Sequence, residues 1–228
     1  MRRLARNSEG ALVTQKKRLE GEITMHGRLV ARKISSDGSD AIRVADDQGQ
    51  SVTADLTPDG EARYEVAGRS RQNEEGVLEV CQILAQRLRR DNGEVGESRR
   101  ATGPERGVDC EIPTHDEVLQ VQVTRPATPD FWQRLNRAAT AERSISPTDA
   151  ADDLLALVEA KAQKTSPSDR AHILLALDAT ETAVHAMPSV AQAVRARRGA
   201  DVARHGFKAV WIVGPSDDLV FRIDEASG

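Results

Sequence analysis

The sequence predicts an α/β protein in which a mixed β-sheet is flanked by helices and preceded by a small antiparallel β segment. Two short apolar runs, residues 172–177 and 209–213, are typical of strands that are buried on both faces of a sheet. Residues 73–88 carry apolar side chains at helical spacing. Residues 22–67 contain short alternating runs separated by glycine and aspartate, which is typical of antiparallel strands. Buried strands joined by helices indicate an α/β sandwich.

The length and composition fit one sizeable core with a small appendage. The chain has 228 residues, of which 39% are hydrophobic and 30% charged, and its net charge is −4. We predict a polar, basic N-terminal arm at residues 1–20, a small β-rich segment at 21–70 and an α/β domain at 71–228. The negative net charge does not favour a strong phosphate-binding protein, because such proteins usually carry a basic excess. Three local groups of arginines are expected to lie on solvated helix faces with acids nearby. They are Arg87, Arg89 and Arg90; Arg99, Arg100 and Arg106; and Arg195, Arg197, Arg198 and Arg204.

The sequence also predicts a cytoplasmic protein without a membrane partner. No apolar run approaches the roughly 18 residues that a membrane-spanning helix needs. Residues 1–6 are basic, but polar residues follow them where a secretory signal has its apolar core. We expect the two cysteines, Cys81 and Cys110, to be reduced thiols, as is usual in the cytosol. Cys110 is expected to pack in the core rather than to act as a nucleophile.

The N-terminal β segment is predicted from short strands that recur at a spacing of about 8–12 residues. These strands are expected at residues 23–30, 41–44, 51–56 and 63–66, with turns between them. A meander of this size is only marginally stable alone, which leaves open that it packs on the α/β domain.

A helix and a hairpin come next. Asn73 suits the N-cap of the helix, and acidic residues occupy its first turn, where the helix dipole favours negative charge. A charged, glycine-containing loop leads to residues 107–112 and 119–124, which read as two strands joined by a polar turn. Asp109 stands at the start of the first of these strands.

The remaining elements alternate between helices and strands. Ser146 followed by Pro147 is a capped helix start. In chain order we expect helices at 129–141 and 146–163, a strand at 172–177, a helix at 189–204, and strands at 209–213 and 219–223.

This order of elements resembles the PD-(D/E)XK, or restriction-endonuclease-like, nuclease fold over roughly residues 73–215. In that family a helix precedes a hairpin that bears an Asp and then a (D/E)-x-K strand, and helix–strand units come after the hairpin. Asp109 matches the motif Asp, Gln120 the (D/E) position and Gln122 the Lys. Glu79, in a Gly-x-x-Glu sequence, looks like the Glu in the first helix of Mrr-type and Holliday-junction-resolvase-like members, where it helps to bind metal.

The resemblance implies a restriction-endonuclease-like core with a site that uses Mg²⁺ or Mn²⁺. Asp109, Glu79 and Gln120 would hold the metal, and Asp109, Gln120 and Gln122 would be the catalytic residues. A hard cation prefers oxygen ligands, usually carboxylates with water, and it neutralises charge that develops at phosphorus. Gln120 offers only a neutral oxygen, although some Mrr-like members use Gln at that position. Gln122 is the larger departure, because it cannot supply the positive charge of the motif lysine.

Plainer interpretations fit the same residues. Alternation along the strand places Gln120 and Gln122 on one face and Val121 on the other, and a half-exposed strand has the same polar pattern. Asp109 also suits the ordinary start of a strand, and Glu79 suits a solvated position on a helix. The missing cation would have to come from elsewhere, and the candidates are Lys161, Lys164 and Lys208.

Other motifs are weaker or absent. Asp178 ends a buried strand, where α/β folds often carry function, although a capping role suits it equally. The five histidines show no metal-binding spacing. No P-loop, GxGxxG or GxSxG sequence is present, which argues against nucleotide-triphosphate, dinucleotide and α/β-hydrolase chemistry.

Two functions therefore remain open at the level of sequence. The first is a metal-dependent nuclease that hydrolyses DNA phosphodiester bonds through Mg²⁺ held by Asp109 and Glu79. The second is a catalytically inactive scaffold of the same fold that binds protein or nucleic acid. DNA and a protein are accordingly the two expected partners. The oligomeric state stays open, and a dimer is compatible with the sequence.

Overall fold

A computed structural model describes residues 22–25, 28–46, 49–58, 61–68, 73–102, 107–126, 129–138 and 140–225. The predicted N-terminal arm, residues 1–20, lies outside the described residues. Within the described part the chain is α/β, with two six-stranded sheets and several helices. None of the described helices is long and apolar enough to cross a membrane.

The strands of the described residues are β1 (Glu22–Met25), β2 (Arg28–Ile34), β3 (Asp40–Asp46), β4 (Ser51–Leu56), β5 (Ala62–Ala67), β6 (Arg99–Arg100), β7 (Cys110–Pro113), β8 (Val118–Thr124), β9 (Thr140–Ile145), β10 (Ile173–Asp178), β11 (Ala209–Val213) and β12 (Val220–Arg222). The α-helices are α1 (Asn73–Asn92), α2 (Pro129–Ala138), α3 (Pro147–Lys164), α4 (Pro167–Arg170) and α5 (Pro188–Arg204). Short 3₁₀ helices cover Ala183–Ala186 and Asp217–Leu219.

The first sheet is antiparallel throughout, in the order β1-β2-β3-β4-β5-β9. Its first five strands confirm the predicted N-terminal antiparallel segment, although the strand predicted at 23–30 is divided into β1 and β2. Apolar residues alternate along β3 and β5, with one face buried and the other exposed, as expected for a sheet that is covered on one side.

Strand β9 corrects one prediction. The helix expected at 129–141 ends at Ala138, and the next residues form β9 instead, antiparallel to β5 with Ala62 opposite Ile145. The strand forms because of contacts with distant residues. Strand β9 pairs with the backbone edge of β5, and Ile145 is buried in the same core as α2.

The second sheet is mixed, in the order β12-β11-β10-β8-β7-β6. Strands β8, β10 and β11 are parallel neighbours, and the other pairs are antiparallel. Parallel neighbours require crossover connections, and α3 and α5 supply helices between β8, β10 and β11. All six residues of β10 are buried, which confirms the doubly covered strand expected from its apolar run.

Two hydrophobic clusters lie on opposite faces of the second sheet. One contains α1 together with Cys110, Val121 and Leu174. The other contains residues of α3, α5 and the first sheet, together with Leu175 of β10. The second sheet is therefore buried between α1 and a larger layer to which the N-terminal strands also contribute.

The prediction of reduced thiols is wrong for this structure. Cys81 of α1 and Cys110 of β7 are joined in a disulfide, with their Cα atoms 6.7 Å apart. Both residues are fully buried, as expected for Cys110 in the core. The physical reason for the pairing is that α1 packs directly on β7, which no local sequence pattern reveals. The disulfide fixes the helix to the strand that begins directly after Asp109.

Candidate functional site

Asp109 and Gln122 lie at one end of the β7–β8 hairpin. The Oδ2 atom of Asp109 accepts a hydrogen bond from the backbone N–H of Val123 at 2.7 Å. Gln122 Nε2 in turn donates to the backbone oxygen of Gly107 at 3.0 Å. Since β7 begins only at Cys110, the Asp109 carboxylate takes the place of a backbone acceptor for β8. The two side chains thus hold the entry to the hairpin together.

The backbone at Gly107 is shaped to this contact. Its φ of +67° is in the left-handed region that favours glycine. A Cβ atom added there would lie 2.8 Å from Gln122 Nε2. Glycine is therefore required both for the turn and for the close approach of the Gln122 amide.

Gln120 and Gln122 share one face of the second sheet, as predicted from strand alternation. They lie opposite Ile173 and Leu175 of β10, whose side chains belong to the cluster with α3 and α5. Val121 belongs to the α1 cluster on the other face. Gln122 is only 7% exposed, so its interpretation as part of a solvated strand face is wrong.

The carbonyl oxygens of these two amides are also distinctive. Oε1 of Gln120 and Oε1 of Gln122 are both buried, and neither has a hydrogen-bond partner within the described part of the chain. Buried acceptors without donors are rare in folded proteins and call for an explanation.

Asp109 has a perturbed acidity. Burial raises the pKa of its carboxyl above the ordinary value, while the hydrogen bond from Val123 and the positive charge of Lys161 act in the opposite direction. Lys161 is one of the three lysines considered as substitutes for the motif lysine, and its charge lowers the pKa of Asp109. Lys208 is held by the Glu117 carboxylate instead, and Lys164 is exposed at the end of α3.

Glu79 is placed differently from the expectation of a solvated helix residue. It is only 6% exposed and lies on α1, which packs on the face of the second sheet opposite to Gln120 and Gln122. Within the described ranges, no group of three or more His, Cys, Asp or Glu side chains could hold a metal ion. The three residues predicted to bind metal do not fit one Mg²⁺ ion, because α1 with Glu79 and the amide pair lie on opposite faces of the second sheet.

A pocket of about 290 Å³ opens between α1 and the edge strands β6 and β7. Half-buried Val77 and Leu78 form its apolar wall, and Asp109 lies at its margin. Glu74 and Arg100, which also line it, form an ion pair of 3.2 Å. Sequence reasoning singled out neither of these two residues as part of a site, because their proximity depends on how α1 packs against β6.

The expectation of arginines with acids nearby is confirmed for five members of these groups, Arg87, Arg90, Arg99, Arg100 and Arg204. The described ion pairs in these groups are Arg87–Asp91, Arg90–Asp217, Arg90–Asp218, Arg99–Glu111, Arg100–Glu74 and Arg204–Asp201. The charges of these five guanidinium groups are therefore partly offset by neighbouring carboxylates.

Comparisons with known proteins give no relative. No family model, no curated protein and no solved structure matches this chain. The resemblance to PD-(D/E)XK nucleases consequently depends on the order of elements and on the motif positions alone.

A second polar cluster lies at the carboxyl ends of β8 and β10. Arg125 contacts Asp178 at 3.1 Å and Glu181 at 3.3 Å, and Gln50 Nε2 donates to Glu181 at 2.7 Å. Asp178 is 2% exposed and also accepts from the Thr180 hydroxyl. Gln50 precedes β4, so this network connects the first sheet to the second. The sequence marked the position of Asp178 but not its partners.

A third polar group lies between the first sheet and α3, and only its histidine, His185, is fully buried. Asp153 of α3 lies 2.7 Å from Arg143 and 3.6 Å from His185. Burial alone would raise the pKa of Asp153, but hydrogen bonds with His185 and Arg143 lower it below the ordinary value. Tyr64 packs edge-on against the His185 ring. The His185 Nδ1 atom also lies 3.3 Å from the backbone oxygen of Thr182.

Proposed function

We propose that this chain is a PD-(D/E)XK-like nuclease-fold protein whose site binds a partner without cutting DNA. The proposal is supported by the element order. A helix, α1, precedes an antiparallel hairpin, and parallel helix–strand units come after it. Asp109 stands at the entry to this hairpin, where the family places its Asp.

The hydrogen bond made by Gln122 is the main observation against DNA hydrolysis. At the position that corresponds to the motif lysine, this buried neutral amide donates to Gly107. A group with no positive charge, already engaged in holding the hairpin, does not stabilise the charge that develops on a phosphate in the transition state. The catalytic cation is thus replaced by a structural hydrogen bond.

A protein is the partner class that the surface favours. The net charge is −4, and four described arginines of α1 and β6 pair with acids: Arg87, Arg90, Arg99 and Arg100. Strong binding to DNA depends on cations that replace the counterions of the phosphates. We therefore favour the scaffold interpretation with a protein partner.

Metal-dependent DNA hydrolysis is the second candidate, and Lys161 is the observation that favours it. Its positive charge acts on Asp109, so this candidate would use Lys161 of α3 as the cation that Gln122 cannot supply.

A cleavage assay separates the two candidates. Wild-type protein, Asp109→Ala and the matched control Asp116→Ala, an exposed acid in the β7–β8 turn, are incubated with supercoiled and linear DNA and either Mg²⁺ or Mn²⁺. We expect equal, background-level cleavage from all three proteins. Cleavage by wild type and Asp116→Ala that disappears in Asp109→Ala would overturn the proposal and support the nuclease.

A further inference from the structure

The two edge strands of the second sheet, β12 and β6, differ in what their outward backbone groups contact. In β12 the carbonyl groups of Val220 and Arg222 point outward, because the residues next to them along the chain are hydrogen-bonded toward β11. Arg87 of α1 donates to the Val220 oxygen at 2.7 Å, and Arg195 of α5 donates to the Arg222 oxygen at 2.6 Å. Both outward carbonyls are therefore occupied, which protects β12 against pairing with a further strand.

The backbone of Arg100 in β6 is open by comparison. Arg100 lies opposite Cys110 of β7, and the N–H of the next residue, Ala101, donates to the backbone oxygen of Asp109 at 3.3 Å. In an antiparallel pair, hydrogen-bonded residues alternate with residues whose N–H and C=O groups point away from the partner strand. The N–H and C=O groups of Arg100 therefore point outward, and no other strand of the described residues lies on that side.

The pocket between α1 and β6 lies on the face of the sheet to which the Arg100 side chain belongs. Directly opposite residues of neighbouring strands share a face, and Cys110 is bonded to α1. The ion pair between Arg100 and Glu74 of α1, at 3.2 Å, agrees with this placement. Val77 and Leu78 form the apolar wall of the pocket, and Leu78 is half-buried without belonging to either hydrophobic cluster of the described residues. Apolar surface of α1 is thus accessible beside the open edge.

The positions around β6 define the chemistry of a strand that would pair with it. A residue opposite Arg100 in an antiparallel strand would exchange two hydrogen bonds with it, and its side chain would point to the α1 face. An aliphatic side chain fits there, against Val77 and Leu78. The next residue would lie opposite Arg99, whose side chain is 60% exposed and pairs with Glu111. An acidic side chain suits that position, because opposite charges on facing residues stabilise a strand pair.

We infer that the edge of β6 binds an extended segment of a partner protein, which adds an antiparallel strand to the second sheet. An aliphatic residue of the segment occupies the pocket beside α1, and an acidic residue follows it. This inference depends on the proposed function, in which the partner is a protein. It adds the surface that the partner contacts and the conformation and side chains of the segment that binds.

Binding of a labelled peptide to the full chain tests this surface. The probe is Gly-Thr-Thr-Ile-Glu-Thr-Thr-amide with fluorescein at its amino end. Its control contains N-methylisoleucine, which keeps the side chain but cannot donate a hydrogen bond to Arg100. Fluorescence anisotropy is measured for both peptides without DNA or metal ions. We expect saturable binding of the probe and binding at least about tenfold weaker for the control, because main-chain hydrogen bonds supply the affinity in this binding mode.

Two variants at one position locate the binding. Arg100→Pro removes the outward N–H, whereas Arg100→Ala keeps it, and both variants lack the guanidinium. A proline is tolerated in an edge strand where its nitrogen faces solvent. Arg100→Pro should bind the probe at least about tenfold more weakly than Arg100→Ala. If Arg100→Pro does not fold, the comparison of the two peptides on wild type decides.

Three results would overturn the inference. They are no saturable binding of the probe up to about 1 mM, equal affinities of the probe and its N-methylated control, and equal affinities of folded Arg100→Pro and Arg100→Ala. Sedimentation of the chain alone examines a second copy as the occupant. A wild-type dimer that is absent in Arg100→Pro would assign the edge to self-association and overturn the assignment to a partner protein. Since the peptide assay contains no DNA, its outcome is separate from that of the cleavage assay.

Discussion

Asp109 and Gln122 are linked by two hydrogen bonds, each from one side chain to the backbone near the other residue. The Asp109 carboxylate accepts from the N–H of Val123, and the Gln122 amide donates to the backbone oxygen of Gly107. This reciprocal pair closes the entry to the hairpin. Both side chains are therefore engaged in structural hydrogen bonds to the backbone.

Replacement of Asp109 by asparagine should preserve stability. Burial raises the pKa of this carboxyl, so its ionised form is disfavoured in the folded state, and an asparagine oxygen can still accept from Val123. As pH rises above the ordinary pKa of 3.8, the Asp109 carboxyl ionises more readily in the unfolded state than in the folded state. The wild type therefore loses stability relative to Asp109→Asn as pH rises. Urea unfolding at pH 3.5 and pH 7 measures this difference. A variant that is less stable at pH 7 by more than about 1 kcal/mol would contradict it.

Gly107→Ala should destabilise the protein through two effects. The left-handed backbone is strained for alanine, and the new Cβ would lie 2.8 Å from Gln122 Nε2. Together these should cost about 2–3 kcal/mol. Gly93→Ala is the matched control, because Gly93 also has a positive φ but nothing within 4 Å of the added Cβ. Equal losses in chemical unfolding of the two variants would show that the Gln122 contact contributes nothing.

Reduction of the Cys81–Cys110 disulfide should lower the free energy of unfolding. The two residues are 29 apart in sequence, and closing a loop of that length in the unfolded chain corresponds to about 3.6 kcal/mol. Urea unfolding with and without a phosphine reductant measures the change. The Cys81→Ser, Cys110→Ser double variant should not respond to the reductant. A wild type that is equally stable under both conditions would contradict the presence of the disulfide.

Arg125→Met should weaken the connection between the two sheets. It removes the guanidinium from beside two buried carboxylates, Asp178 and Glu181. Removal of one partner from a buried ionic network typically costs about 2–4 kcal/mol, because the remaining charges stay buried. Addition of Glu181→Gln should recover part of the loss in equilibrium unfolding. No recovery in the double variant would show that the charge of Glu181 is not what Arg125 balances.

Asp153 should contribute to the decline of stability in acid. Because its pKa is lowered in the folded state, its contribution is present above the ordinary value of 3.8 and is lost as pH falls through the lowered value. Stability measured between pH 2 and pH 6 should fall less steeply in Asp153→Asn than in wild type. Parallel pH profiles for the two proteins would exclude this role.

Local patterns in the sequence were sufficient for elements whose periodicity is strong. The apolar runs predicted β10 and β11, and Ser146 before Pro147 predicted the start of α3, where the Ser146 hydroxyl accepts from Asp149. Strand β9 was not predictable in this way, because its pairing with β5 joins residues about eighty positions apart in the chain.

The candidate site was predictable only in part. Alternation placed Gln120 and Gln122 on one face, but it did not reveal that Gln122 is buried or that it donates to Gly107. The spacing also could not show that Glu79 lies on the other side of the sheet, since that depends on where α1 packs. Side-chain burial and helix docking are tertiary properties, and the motif pattern contains neither.

Titration with Mn²⁺, monitored by the electron paramagnetic resonance signal of the free ion, tests the central claim of a site without a catalytic metal. We expect wild type, Asp109→Ala and Asp116→Ala to leave the same concentration of free Mn²⁺ at every step. The account would be contradicted if wild type and Asp116→Ala each bound one Mn²⁺ per chain and Asp109→Ala bound none.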